Sequence, residues 1–188
     1  GYLNVKRELP DGRDLNRSFP GTKNGSLASQ FAYQFMKEIA PNIDMVIDFH
    51  TGAAQRSNIA QIRCLKTDPV SMELANVFSP PFIVHSAYIS KSIREALNKR
   101  GKKILLFEGG KANSIDEKIV EEGLAGIQRV LLHLGMRSFK ILEPNDREPI
   151  LITSSKWLRA PNSGVFQAIV KQGDEVEVGT VLGIVCDP

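Results

Sequence analysis

Two stretches decide the fold: Ile43-Asp44-Met45-Val46-Ile47-Asp48-Phe49-His50-Thr51-Gly52 and Lys103-Ile104-Leu105-Leu106-Phe107-Glu108-Gly109-Gly110. The first is mostly apolar from Ile43 to Phe49, with Asp44 and Asp48 as its only interruptions. That pattern predicts a strand covered on both faces, as in a parallel sheet. The second is a compact apolar run that leads directly into a carboxylate. Each ends on a side chain capable of chemistry, His50 or Glu108, and the ends of buried strands are where open α/β sheets carry their sites.

Working outward, Leu27, Phe31, Phe35 and Ile39 recur every four positions, which predicts a helix over 27–39 that Pro41 ends. Residues 59–65 alternate as a further strand. Asp68-Pro69 starts a helix that runs to Phe78, and Phe82-Ile83-Val84 is a short strand beyond Pro80-Pro81. A helix over 92–100 closes at Gly101. The longest helical pattern runs over 115–134, with Ile119, Leu124, Ile127, Val130, Leu131 and Leu134 as its expected buried stripe. Strands alternating with helices imply an α/β fold: a mixed, largely parallel sheet with helices on both faces.

Composition changes near Leu142, which sets an expected boundary between a first domain over 1–142 and a second part over 143–188. The run Glu143-Pro144-Asn145-Asp146-Arg147-Glu148-Pro149 reads as a linker. Short β runs broken by Gly and Pro follow. They are similar to half of a biotinyl/lipoyl-like barrel, without a lysine at a hairpin tip, and read as a small structural β domain.

The chain has 188 residues, is 42% apolar and 24% charged, and carries a net charge of +3. A charge this small gives nucleic-acid binding little support. No apolar run approaches the roughly 20 residues needed to cross a membrane. Cys64 and Cys186, far apart and without paired spacing, fit a reducing cytoplasm better than a disulfide scaffold.

Between the N-terminus and the first strand lies Asp11-Gly12-Arg13-Asp14-Leu15-Asn16-Arg17-Ser18-Phe19-Pro20-Gly21. It puts two guanidiniums and an amide into a Gly/Pro-bounded loop, and an arginine fork matches a carboxylate. With Asp48-Phe49-His50-Thr51-Gly52 after it, the chain resembles the aspartoacylase and succinylglutamate desuccinylase family of the zinc carboxypeptidase superfamily, over about residues 2–135. The resemblance implies a zinc-dependent hydrolase that removes an acyl group from an amino acid or similar small carboxylate. His50 corresponds to a zinc ligand, with Asp48 as an orienting carboxylate. Glu108 corresponds to the general acid/base that deprotonates the attacking water. Asn16 and Arg17 correspond to the substrate-carboxylate clamp, Asp14 to a carboxylate that orients an upstream zinc histidine, and Arg7 to the oxyanion contact, with Arg13 as its rival.

The family's first metal motif, a His and a Glu close together, has no counterpart here. The histidines are His50, His85 and His133, and a closed site needs three protein ligands. The chain also begins at Gly. It therefore reads as a fragment lacking its N-terminal segment, expected to be inactive alone and to bind zinc weakly or not at all. His85 and His133 read as local or structural residues, while Lys111 and Arg94 are candidates for a second anion contact. The expected partner is a small carboxylate substrate, with neither nucleic acid nor membrane; homo-oligomerisation and substrate identity stay open. Two alternatives stand beside the deacylase: a carboxypeptidase acting on peptides, and a non-catalytic binding module with a carboxypeptidase-like fold.

Overall fold

The computed structural model describes residues 6–53, 56–138 and 148–187. The apolar runs form the strands β1 (Met45–Gly52), β2 (Ser57–Cys64), β3 (Phe82–His85) and β4 (Lys103–Lys111). They are joined by β5 (Ile150–Ile152) in one sheet of order β1-β4-β2-β3-β5. The β1–β4, β2–β3 and β3–β5 pairs are parallel and β2–β4 is antiparallel, so the sheet is mixed and mostly parallel.

Four helices cover it: α1 (Leu27–Gln34), α2 (Pro69–Phe78), α3 (Ile93–Asn98) and α4 (Glu117–His133). Side chains alternate between faces along a strand, and two cores result. Ile62, Ile83, Leu105 and Phe107 meet Leu74 and Phe78 of α2 and Val130 of α4 on one face. Ile104 meets Phe19, Ala32, Met36 and Leu97 on the other, under α1, α3 and the 11–21 loop.

The periods of α1 and α4 follow the sequence, but the buried face of α1 is shifted and that of α4 agrees only in part. In α1 and the turns after it, Ala28, Ala32, Met36 and Ala40 are buried, while Phe31 remains 56% exposed. In α4 Gly123, Gly126 and Val130 are buried, and Ile119 and Ile127 of the expected stripe pack against the same core, while Leu124 and Leu134 are 55% and 43% exposed. Small residues let each helix lie close to what it covers, and the larger apolar neighbours stand at the rim. After Gln34 the helix loosens into a π turn at Phe35–Ile39 and a 3-10 turn at Ala40–Asn42, where Pro41 removes a backbone donor.

The boundary expected at 142/143 lies outside the described residues. By contacts the chain divides after Thr153 into units of 1–153 and 154–188, because β5 pairs with β3 in the first sheet. In the second unit β6 (Val165–Ala168) and β7 (Gly183–Cys186) form an antiparallel pair. No helix among the described residues is long and apolar enough to cross a membrane.

Cys64 gives a direct check of the core. Burial pushes its thiol up to about 11, and its Sγ lies 3.6 Å from Met72 Sδ. The thiolate is the nucleophile, so at pH 8 iodoacetamide should label exposed Cys186 and spare Cys64 until the protein is unfolded. Equal labelling of both in the native state would show that the β2 core is open.

Candidate active site

The parallel register of β1 and β4 pairs His50 with Glu108 and Asp48 with Leu106. Alternation puts Asp48, His50 and Glu108 on the face covered by α1, α3 and the 11–21 loop. His50 Nε2 donates to Asp48 Oδ2 at 3.0 Å, which leaves Nδ1 with the lone pair of the neutral ring. The bond to Asp48 raises the His50 pKa above its ordinary value, against burial, which lowers it. The charges of Asp48 and Glu108 raise it further and that of Arg7 lowers it.

A raised histidine pKa has a definite sign in stability. The His50–Asp48 contribution is complete below the unfolded-state pKa and is lost as pH rises through the higher folded value. Asp48→Asn should therefore lower the His50 pKa, read as a leftward shift of its ring-proton titration by NMR. An unmoved midpoint would show that Asp48 does not set the state of this ring.

Glu108 lies inside β4, which continues to Lys111 rather than ending at the carboxylate. Strand pairing of β2 with β4 extends to Ser57 opposite Lys111, so backbone partners remain beyond Glu108. Gly109 serves packing and does not open space for a ligand. A Cβ there would stand 2.7 Å from Ile119 Cγ2, so its smallness admits the first turn of α4. Glu108 is held by Asn58, whose Nδ2 donates to Oε2 at 2.8 Å. Asn58 was not singled out in the sequence; a polar residue entering an apolar strand was the available signal.

The loop residues form a connected chain. Arg7 Nε donates to Asp14 Oδ2 at 2.8 Å, and Asp14 Oδ1 accepts from the Asn16 backbone N–H at 2.9 Å. Asn16 Oδ1 in turn accepts from Ile93 N at 2.8 Å, fastening the loop to the first turn of α3 and leaving the Asn16 NH2 as the donor end. In this structure Asp14 thus positions Arg7.

Arg17 Nη1 donates to the Asn16 carbonyl at 2.6 Å. Its side chain lines a polar cavity of about 690 Å³ with Arg13 and Lys91, and neither His50 nor Glu108 lines that cavity. A second, apolar cavity of about 330 Å³ runs between β1 and α4, lined by Phe49, His50, Thr51, Val120 and Leu124 among others. The structure therefore brings His50, Asp48 and Glu108 together and places Arg17 beside a separate opening. His85 Nδ1 accepts from Lys66 N, a local backbone contact, and His133 Nε2 lies 3.0 Å from Glu73 Oε1.

For zinc, the fit is incomplete. No group of three His, Cys, Asp or Glu among the described residues is placed to hold one ion. His50 could supply a single imidazole, and Asp48 occupies its other nitrogen as ligating imidazoles require.

The catalytic-domain profile described as succinylglutamate desuccinylase/aspartoacylase matches residues 2–134. The N-alpha-acetyl-L-2,4-diaminobutyric acid deacetylase of Halomonas elongata is 27% identical over 94% of this chain, which spans 54% of that protein. The product-bound ectoine utilization protein EutE (DoeB) from Ruegeria pomeroyi superposes with a TM-score of 0.84 at 22% identity, over 97% of this chain and 58% of that one. The Rhodobacter sphaeroides succinylglutamate desuccinylase/aspartoacylase gives 0.83 at 24% identity, over 98% and 59%. These two share the fold, and the chain spans little more than half the length of all three proteins. On the strength of the profile over most of its length, the chain belongs to the succinylglutamate desuccinylase/aspartoacylase catalytic-domain family.

Proposed function

We propose that the protein containing this chain is a hydrolase that cleaves the amide bond of an N-acyl amino acid. The observation that carries this reading is the pairing of His50 with Glu108 across β1 and β4, each fixed by its own partner, Asp48 or Asn58. Family membership and the activity named for the Halomonas relative support the same class. In the proposed reaction water attacks the acyl carbon. Glu108 takes the water's proton and passes it to the departing nitrogen as the C–N bond breaks, leaving a carboxylate and a free amine. Arg7, held by Asp14, faces the oxygen that gains charge. The Asn16 amide and, by the family resemblance rather than by its place beside the separate opening, the Arg17 guanidinium take the substrate carboxylate. A zinc ion, which the family resemblance implies, would be held by His50 together with donors that the described residues do not contain.

Arg17 tests the substrate class. Lysine keeps the charge but loses the planar fork, so Arg17→Lys should weaken binding by about 1.5 kcal/mol, the lower end for a charge-assisted hydrogen bond. The loss should nearly vanish when the substrate carboxylate is replaced by a neutral amide. Steady-state kinetics of both proteins on both substrates form a double-mutant cycle. An equal loss on the two substrates would mean that Arg17 supports the 11–21 loop and does not touch the carboxylate.

A further inference from the structure

β2 is irregular where it passes Glu108. Gln61 stands opposite Glu108 and Asn58 opposite Gly110, with a shift of register between them. The step from 58 to 61 on β2 thus matches the step from 110 back to 108 on β4, so β2 carries one extra residue, a β-bulge. Gly110 takes a φ of +67° at the same point, a conformation that glycine supplies without a steric penalty. The bulge changes the face that Asn58 presents. Ala60, Ile62 and Cys64 alternate regularly into the core under α2 and α4. Continued without interruption, that alternation would point Asn58 into the same apolar core. The extra residue turns it to the face of Glu108 instead, where its Nδ2 donates to Glu108 Oε2 at 2.8 Å.

This contact makes the two carboxylate oxygens unequal. An ionised carboxylate only accepts, and its two oxygens are equivalent until a donor distinguishes them. Asn58 occupies Oε2, whereas Oε1 makes no hydrogen bond to any described residue. A proton placed on Oε2 would face the Asn58 N–H, donor against donor. A proton placed on Oε1 leaves the Asn58 bond in place, because the carbonyl-like oxygen of a neutral acid still accepts.

We propose that Asn58, brought to this face by the β2 bulge, is a positioning residue for the proton transfer: it fixes the turn of the Glu108 carboxylate and leaves Oε1 as the oxygen that carries the proton. The role rests on the hydrolase reading. As the water oxygen bonds to the acyl carbon, Oε1 takes the water's proton. Oε1 holds it while Oε2 continues to accept from Asn58, and releases it to the departing nitrogen as the C–N bond breaks. Glu108 ends as the carboxylate it was at the start, and Asn58 exchanges no proton. Because Asn58 acts through Glu108, its removal matters only while the carboxylate is present.

The test is a double-mutant cycle in the complete protein. Asn58→Leu keeps the approximate size and removes the donor. Its kcat for an N-acyl amino acid should fall about tenfold or more, the scale of a lost hydrogen bond to a charged group, with KM changed by less than about twofold. In the Glu108→Gln background the same change should alter kcat by less than about twofold. A tenfold loss there as well would make Asn58 a support of the bulge and overturn the proposal. So would a wild-type kcat in Asn58→Leu, which leaves the hydrolase standing. A second measurement requires neither activity nor a folded Asn58 variant. In protein labelled with ¹⁵N-asparagine, the Asn58 side-chain amide signal should move as acid protonates Glu108, and that step should be absent in Glu108→Gln. A signal that ignores the titration overturns the proposal whatever the kinetics. If the step is present in a protein that hydrolyses no N-acyl amino acid, the contact stands, and the hydrolase reading falls together with the proton-transfer role.

Discussion

Replacing Glu108 by Gln is expected to lower turnover of an N-acyl amino acid by about 10²-fold or more, the scale of a lost general base. The substitution suits the question because it preserves what surrounds the carboxylate. Asn58 Nδ2 donates to Oε2 at 2.8 Å, and a glutamine carbonyl can accept the same bond. β4 keeps its pairing with β1 and β2, since those contacts are made by backbone. What disappears is a group able to take a proton from water and return it to the amine. Steady-state kinetics with the complete protein, beside a circular-dichroism melt to establish that the fold is intact, provide the measurement. Activity within a few-fold of wild type would move the proton transfer to another residue.

The second large effect concerns stability. Phe78 is fully buried at the end of α2 and packs against Phe107 with ring centres 5.5 Å apart. Arg129 of α4 fastens its carbonyl through Nε and Nη2 at 3.0 and 2.7 Å. Phe78→Ala should cost about 3–5 kcal/mol, the range for a large aromatic deleted from a packed core. Gly126 of α4 lies directly over the same ring, and a Cβ there would overlap it. Gly126→Ala should accordingly destabilise the wild type by about 1–3 kcal/mol through overpacking. In the Phe78→Ala background the obstruction is gone, and alanine's helix preference over glycine, about 1 kcal/mol, should make the same change stabilising. Urea melts of the four proteins read this reversal of sign. If Gly126→Ala costs the same in both backgrounds, the two helices do not meet at this point.

The order and type of elements through α4 were legible because apolar runs and helical periods are local. The pairing was not: β4 inserts between β1 and β2, and β5 joins a strand far from it in sequence. Nothing local encodes such contacts. The buried face of α1, and part of that of α4, is hidden in the sequence for a different reason. Weight placed on Leu and Phe ignores the close approach that Ala28, Ala32, Gly123 and Gly126 permit. In the site, His50 and Glu108 stood out because each follows an apolar run, and the sheet register makes them neighbours. Asn58 is not legible in the sequence because a polar residue in a strand reveals its partner only once the neighbouring strand is known.

The claim on which the rest depends is that this face of the sheet serves amide hydrolysis of small N-acyl amino acids. The most direct measurement is release of free amine by the complete protein from a panel of N-acetyl and N-succinyl amino acids and short unblocked peptides. The expected result is release from N-acyl amino acids, lost with Glu108→Gln and weakened when the substrate carboxylate is amidated. Cleavage confined to the peptides would make the protein a carboxypeptidase. No cleavage of either class, with N-acyl amino acids still bound, would contradict the account and leave a binding module in its place.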